Sequence, residues 1–169
     1  YLRIQDTWYF LVTVLDAYSR YVVHWELLTT MRAADVRLVI QQALERTGAT
    51  PEVVTDNGSQ FTAAEFKDLV RRFALEHIRI RWYHPESNGL VERFHRSTRG
   101  ALADEDLRNL AHARELIAEW VRQYNDERLH AGLGYLPPAE FYRGDPAARI
   151  AERDAKLAAG RERRRAINQ

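Results

Sequence analysis

Apolar residues recur with two different spacings along this chain, first one typical of strands and then one typical of helices. Short runs rich in β-branched and aromatic residues, separated by polar turns, occupy the first 28 residues and are typical of an antiparallel strand meander. From residue 33 the apolar positions recur every three or four residues, which predicts a helix over 33–47 that ends at Gly48. Both patterns then recur further along the chain. The predicted strands are residues 1–4, 8–15, 21–28, 51–55 and 78–82, of which 51–55 is expected to be a short buried strand.

Helices are predicted between and after the later strands. They are residues 33–47, a segment around 66–73, one that starts near 89, one through 110–124, and a short one at 138–143. Helices that alternate with strands after a meander predict an α/β layer fold, with a five-stranded mixed sheet flanked by helices. We divide the chain into a core at 1–104, further helices of the core at 105–144 and a basic helical tail at 145–169.

Composition narrows the class of protein without naming a function. The 169 residues are 46% hydrophobic and include no cysteine, which excludes disulfides and thiolate zinc sites. The apolar run at 8–15 is too short to cross a membrane, so we expect a soluble protein with no membrane partner. Net charge is only +1, but residues 61–100 carry eight Lys and Arg against five Asp and Glu. Such an excess is weak evidence for a nucleic-acid partner.

Two carboxylates stand in motifs that suggest metal chemistry. Asp56 ends an apolar run in Val-Val-Thr-Asp-Asn-Gly-Ser-Gln-Phe, and Glu92 follows a Pro, Asn and Gly loop at the start of a predicted helix. Carboxylates from a strand end and a helix can converge on Mg²⁺, which prefers oxygen ligands. Two such ions can serve an in-line phosphoryl transfer. Plainer interpretations exist, because Asp-Asn-Gly is an ordinary turn signal and a lone helix glutamate usually faces solvent.

Four motifs, in order and at this spacing, resemble one enzyme family. They are Asp-Ala-Tyr-Ser-Arg at 16–20, Thr-Asp-Asn-Gly-Ser-Gln-Phe at 55–61, His-Pro-Glu-Ser-Asn-Gly-Leu-Val-Glu-Arg-Phe at 84–94, and Tyr124-Asn125 with Arg128 and His130. Together they resemble the catalytic core of the DDE transposases of bacterial insertion sequences and of the retroviral integrases. The last group, followed by Gly-Tyr-Leu-Pro-Pro-Ala-Glu-Phe at 134–141, is especially similar to the insertion-sequence branch.

The resemblance implies an RNase H-like fold and a metal-dependent polynucleotidyl transferase. Such an enzyme hydrolyses a phosphodiester at an element end and then uses the freed 3′-hydroxyl to attack target DNA. By resemblance Asp56 and Glu92 are the second and third of three metal-binding carboxylates, which together hold two Mg²⁺ or Mn²⁺ ions. The implied partners are element-end and target DNA and further copies of the chain, in the bacterial cytoplasm at the nucleoid.

The first carboxylate of the family is where this chain departs from the pattern. Tyr1 matches the aromatic residue that follows it, so we expect the first Asp to lie upstream of Tyr1. The chain as given is therefore expected to bind metal weakly and to be inactive. Asp16 ends the second strand and could lie near the metals as an auxiliary carboxylate. Alternatively, Asp16 and Arg20 organise the turn, since Asp and Ser side chains often bond turn backbone.

Several residues around the two carboxylates are candidates for DNA contact. Arg96 and Arg99 follow Glu92 on the same helical face, and arginine forks match phosphate geometry. Tyr83 could stack on a base as an auxiliary contact. The remaining candidates are Asn57, Gly58, Asn88, Gly89 and His95. Each also has a plainer interpretation: a turn for Asn57 and Gly58, a helix cap for Asn88, packing for His95, and a solvated face for the arginines.

Three rival functions stay open at this stage. An RNase H-like nuclease would cut DNA without joining it. A decayed DNA-binding remnant would have lost the first Asp, although the presence of Asp56 and Glu92 argues against this. A structural module that uses the fold for protein contacts would leave the basic helix around Glu92 unexplained. For Tyr124, Asn125, Arg128 and His130, structure and DNA backbone contact remain equally open.

Overall fold

The computed structural model of the chain describes residues 1–48, 52–80 and 89–167. Its strands are β1 (Leu2–Ile4), β2 (Thr7–Leu15), β3 (Val22–Leu28), β4 (Glu52–Thr55) and β5 (Glu76–Arg79). Its α-helices are α1 (Ala33–Thr47), α2 (Ser59–Thr62), α3 (Ala64–Arg72), α4 (Gly89–Ala101), α5 (Leu110–Asp126), α6 (Pro138–Tyr142) and α7 (Pro146–Ile167). A short 3₁₀ helix lies at Ala131–Leu133.

The five predicted strands are all present, and they pair in two groups within the described residues. β1, β2 and β3 form an antiparallel meander, whereas β4 and β5 pair in parallel. Turns set these registers. Gln5 adopts a φ of 52° between β1 and β2, and Arg20 adopts a φ of 62° between β2 and β3. The parallel pair is joined through α2 and α3, as a parallel connection requires.

Helices cover the meander on both faces. Phe94 of α4 and Ile117 of α5 are buried with Ile4, Val22 and Leu27 of the sheet. A second cluster contains α1 and α3 side chains, with Val14, Leu28 and Val53 packed against it. Successive strand residues point to opposite faces, so Leu27 and Leu28 belong to different layers. The layers fix α4, which carries Glu92, against the strand meander.

Helix α1 shows why the amphipathic pattern predicted its bounds correctly. The apolar positions on its core-facing side are buried: Val36, Val39, Ile40, Ala43 and Leu44. Gly48 ends the helix with a φ of 62°, and its N–H donates to the Leu44 carbonyl at 2.9 Å. A glycine adopts this left-handed conformation without the steric cost that a side chain would add.

Two predictions about the parallel strands need correction. β5 begins at Glu76, two residues before the predicted start, and residues 81 and 82 of the predicted strand lie outside the described residues. The predicted buried strand at 51–55 is only partly buried: Val54 is 49% exposed, and its partner Ile78 on β5 is 39% exposed. Val53 packs under α1 and α3, while the opposite face of this strand pair is more open.

The predicted helical tail is present as α7. Its first turns contact the rest of the chain through an Arg149–Glu140 ion pair at 3.4 Å and a hydrogen bond from Arg153 to the Gly134 carbonyl. Further along, Leu157 is 49% exposed. The start of α7 therefore packs on the segment around α6, and its later turns bury little apolar surface.

Candidate active site

Asp56 projects from the end of β4 as an exposed carboxylate. It follows Thr55 directly, and its Oδ1 accepts the backbone N–H of Gly58 at 2.9 Å. That bond closes the loop between β4 and α2 and orients the carboxylate. No basic side chain pairs with Asp56 within the described residues. Its oxygens therefore remain available to an external cation.

Asn57 and Gly58 shape the same loop. The Asn57 Nδ2 donates to the Ile80 carbonyl at 2.7 Å, which ties the loop to the residue after β5. Gly58 has a φ of −56°, a conformation that any residue adopts. A Cβ there would instead meet the Gln60 side-chain amide at 2.4 Å. Both residues thus have a clear structural role, and their predicted DNA contacts stay predictions.

Helix α4 presents Glu92 in its first turn. Phe94 and Thr98 anchor the helix in the core, each at most 2% exposed, and Phe94 packs edge-on against Tyr124 at 4.9 Å between centroids. Thr98 Oγ1 donates to the Phe94 carbonyl and accepts the Trp120 indole N–H at 2.9 Å. Because these two residues face inward, Glu92 is left exposed, and it has no ion-pair partner within the described residues.

His95 sits between this helix and the sheet. Its half-buried ring forms a hydrogen bond with Thr13 Oγ1 on β2, with 2.9 Å between Nε2 and oxygen. Burial lowers the pKa of His95, and the positive charge of Arg99 lowers it further. The ring is therefore neutral at pH 7 and links α4 to β2. This contact supports the packing interpretation that the sequence left open.

The other predicted DNA-contact residues on α4 lie on its surface. Arg96 and Arg99 are exposed and have no carboxylate partner within the described residues. Gly89 is the first residue of the helix, and a Cβ there would meet no atom within 4 Å. Asn88 and Tyr83 lie outside the described residues. The exposed face of α4 therefore carries Glu92 together with two free positive charges.

Asp16 acts within the turn between β2 and β3. Its Oδ2 accepts the Ser19 N–H at 2.7 Å and the Ser19 hydroxyl at 2.5 Å, and Ser19 is completely buried. The Arg20 N–H donates to the Asp16 carbonyl at 2.8 Å. These bonds match the turn-organising interpretation of Asp16. The auxiliary role of Asp16 toward a metal stays a prediction, because its described hydrogen bonds all lie within the turn.

The side chains of Tyr124 and Asn125 are buried. Asn125 Oδ1 accepts the Val22 N–H at 2.9 Å, and its Nδ2 donates to the Val22 carbonyl at 3.1 Å. Tyr124 packs against Phe94 and against the ring of His130. This pair therefore holds α5 to β3, which gives both residues a structural role; a DNA contact by either stays a prediction.

The donor chemistry at Asp56 and Glu92 suits a hard divalent cation. Both are exposed carboxylates without a competing positive partner among the described residues, and Mg²⁺ is bound in proteins through one or two carboxylates plus waters and phosphates. Across residues 1–48, 52–80 and 89–167, no three His, Asp or Glu side chains cluster as a ready-made metal site. In the same part of the chain, no helix is long and apolar enough to cross a membrane.

Comparison with known proteins gives consistent matches along the chain. Two family models, each described as an integrase core domain, match residues 1–85 and 74–138. The uncharacterized 39.2 kDa protein of insertion element IS476 from Xanthomonas euvesicatoria is 34% identical over 77% of this chain and 38% of its own length. The transposase for insertion sequence element IS904 of Lactococcus lactis is 27% identical over 83% of this chain and 57% of its own length. The chain thus spans less than two thirds of either relative.

Solved structures share the fold at lower identity. The chain superposes on a chain of the simian T-cell lymphotropic virus intasome with a TM-score of 0.73, at 18% identity over 84% of this chain and 51% of the other. The HTLV-2 integrase catalytic core domain in complex with magnesium gives a TM-score of 0.68, at 19% identity over 84% of this chain and 90% of the other. The expected RNase H-like α/β fold is thereby confirmed.

Proposed function

This chain belongs to the integrase core domain family, and on that premise we propose that it is the catalytic domain of an insertion-sequence transposase. Its reaction is the metal-dependent hydrolysis of a phosphodiester, followed by transfer of the freed 3′-hydroxyl end to target DNA. Residues 1–104 form the catalytic core, 105–144 complete it, and 145–169 form a basic tail. The similarity to transposases of bacterial insertion sequences supports this choice within the family.

The proposal rests on the exposure of the Asp56 and Glu92 carboxylates and on their lack of ion-pair partners within the described residues. Each is exposed and unpaired within the described residues, although the loop and the helix that present them are firmly anchored. Exposed carboxylates on fixed backbone are suited to bind Mg²⁺ or Mn²⁺, and a magnesium complex of a retroviral integrase core shares the fold. Bound there, two divalent cations would activate the attacking oxygen and stabilise the leaving one.

The surface of α4 supports DNA as the substrate. Arg96 and Arg99 are free to contact backbone phosphates on the face that carries Glu92. The N–H groups at the start of the helix, from Gly89, favour anions. Element-end and target DNA would lie along this face. Asn57, Gly58, Asn88, His95 and Tyr83 remain proposed neighbours of the same DNA.

The proposed assembly follows from the reaction, and the proposed location follows from the relatives. Joining two element ends requires more than one catalytic domain, so we infer a homo-oligomer. The HTLV-2 integrase core, which shares the fold, is described in dimeric and trimeric forms. The matched insertion elements are bacterial, so the proposed location is the bacterial cytoplasm, at the nucleoid.

A strand-transfer assay tests the proposal. Labelled element-end DNA is incubated with Mg²⁺ or Mn²⁺ and the protein, including any sequence that its gene encodes upstream of Tyr1. We expect joined products from the wild type and none from Glu92→Gln. Glu115→Gln is the matched control, because Glu115 is an exposed, unpaired glutamate on α5 and its change leaves the proposed site intact.

Each other outcome points to a different function. Nicked DNA without joined product would replace the transposase with a nuclease. A folded protein that binds DNA and yields no metal-dependent product would identify a non-catalytic DNA-binding remnant. Equal loss of joining in the Glu92 and Glu115 variants would show that the effect does not come from a metal site at Glu92.

A further inference from the structure

A second feature lies beside α4, on the side of the turn between β2 and β3. It is a cavity of about 170 Å³, bounded by α4, the end of α5 and the 3₁₀ helix. We call it the arginine pocket, after Arg20, Arg93 and Arg128, which line it together with Ser97, Tyr124 and His130. Small-molecule pockets usually occupy about 300–1,000 Å³, so this space suits a single small group.

The arginine pocket is strongly positive and holds no balancing carboxylate. Arg20, Arg93 and Arg128 form no ion pair within the described residues. Arg128 instead lies 5.5 Å from the centre of the Trp120 ring. Burial and then the charges of these three arginines lower the pKa of His130 to about 4. Three unpaired guanidinium groups around one cavity are the arrangement that an anion would stabilise.

His130 supplies a further polar atom without a partner. Its Nε2 is buried and forms no hydrogen bond in the described structure. A buried polar atom left unpaired costs about 1–3 kcal/mol. The ring is neutral at pH 7, so it adds no positive charge to the cavity that it lines. The positive charge that an anion would meet in the cavity therefore comes from the three arginines.

Gly132 gives Arg20 its place at the cavity. A Cβ on Gly132 would come within 2.9 Å of three guanidinium atoms of Arg20. Arg20 itself adopts a φ of 62°, an uncommon conformation for a residue with a side chain. The turn and the glycine together allow the guanidinium to approach the 3₁₀ helix closely.

We propose that the arginine pocket binds one phosphate group of the DNA backbone, outside the carboxylate site. Arginine forks match phosphate oxygens, and the cavity holds one such group rather than a nucleotide. Arg93 follows Glu92 directly on α4, so the arginine pocket adjoins the turn of the helix that carries the proposed metal-binding carboxylate. The choice of DNA as the source of the phosphate rests on the proposed function.

Salt-dependent DNA binding tests the pocket. Fluorescence anisotropy with a labelled duplex is measured for the wild type, Arg93→Gln and Arg128→Gln. Loss of one phosphate contact lowers the slope of log K against log salt by about one and weakens binding roughly tenfold at 0.1 M salt. Arg46→Gln is the matched control, since Arg46 is exposed and unpaired in the last turn of α1 and should leave the slope unchanged.

Gly132→Ala provides a variant without a change of charge. The added methyl group displaces only the flexible end of Arg20, so the fold should persist while DNA binding weakens in the same direction. Gly160→Ala on α7 is its control, because a Cβ there meets nothing within 4 Å. Thermal unfolding checks that both variants are folded.

A titration with inorganic phosphate distinguishes a DNA backbone phosphate from a free phosphate as the anion that the pocket binds. NMR titration should show that phosphate raises the pKa of His130 from about 4 in the wild type, and less so in Arg128→Gln. If the wild type binds DNA and the Arg93, Arg128 and Arg46 variants have equal slopes, the pocket proposal is overturned while the proposed function stands. If the wild type does not bind DNA, the proposed function fails, and a response to phosphate would then assign the pocket to a free phosphate instead.

Discussion

Asn125 is expected to be one of the most costly positions to change in this chain. Its side-chain amide pairs with both backbone groups of Val22, at 2.9 and 3.1 Å, and the two residues are only 4% and 3% exposed. The amide thus completes the hydrogen bonding at the start of β3, the outer strand of the meander. Few side chains can replace it, because the site needs one donor and one acceptor side by side.

The size of the effect follows from these two bonds. Asn125→Ala leaves a buried N–H and a buried C=O of Val22 without partners, at about 1–3 kcal/mol each. The expected loss in the free energy of unfolding is therefore about 2–6 kcal/mol. Small domains are stable by only about 5–15 kcal/mol, so the variant should be visibly destabilised.

Asn125→Asp adds a dependence on pH. An ionised carboxylate can accept the Val22 N–H but cannot donate to the Val22 carbonyl, and its burial raises its pKa. When the carboxyl group is protonated, it carries an O–H donor. The stability deficit of this variant should therefore shrink as pH falls through the raised pKa.

Urea unfolding followed by tryptophan fluorescence measures both variants. The control is Asn109→Ala at the exposed N-cap of α5, where the side chain accepts one bond from the His112 N–H at 2.9 Å. Loss of that cap should cost about 1 kcal/mol. If Asn125→Ala costs no more than Asn109→Ala, the reasoning from paired buried backbone groups is refuted.

Three further predictions concern the site and its supports. Asp56→Asn keeps an oxygen to accept the Gly58 N–H, so urea unfolding should show a loss below about 1 kcal/mol while strand transfer disappears; retained joining would contradict its metal role. Thr98→Val removes the acceptor of the Trp120 indole N–H and should cost about 1–2 kcal/mol, and an unchanged urea midpoint would argue against that bond. His130 has a folded-state pKa of about 4, below its ordinary 6.5, because the folded protein favours the neutral ring. The free energy of unfolding is therefore highest above pH 6.5, and this contribution is lost as pH falls toward 4. The full shift corresponds to about 3 kcal/mol, which partial exposure reduces to about 1–2 kcal/mol, and His130→Gln should remove this part of the pH dependence of unfolding.

The sequence predicted best where the signal is local. The bounds of α1 follow from its apolar face and from Gly48, both visible within 16 residues. β5 begins two residues before the predicted start, because its exposed residues, Ile78 among them, do not alternate as those of a half-buried strand do. Asp56 and Glu92 were found through the motifs around them, and the structure adds that both are exposed and unpaired.

Contacts between distant segments could not be predicted in this way. Asn125 and Val22 are 103 residues apart, and nothing in either local pattern indicates that one amide pairs with both backbone groups. The arginine pocket is assembled from a turn, a helix and the end of another helix. Each of its arginines alone is typical of a solvated surface, and only the fold reveals that they share a cavity.

We propose that Asp56 and Glu92 hold metal at one site. Paramagnetic Mn²⁺ tests this proposal directly, because it broadens the NMR signals of amides near the bound ion. The Gly58 and Arg93 amides should broaden together, with one affinity, and Glu92→Gln should weaken the broadening at both. Broadening at only one of the two amides, or a response at Gly58 that is unchanged in Glu92→Gln, would show that the carboxylates do not share a site.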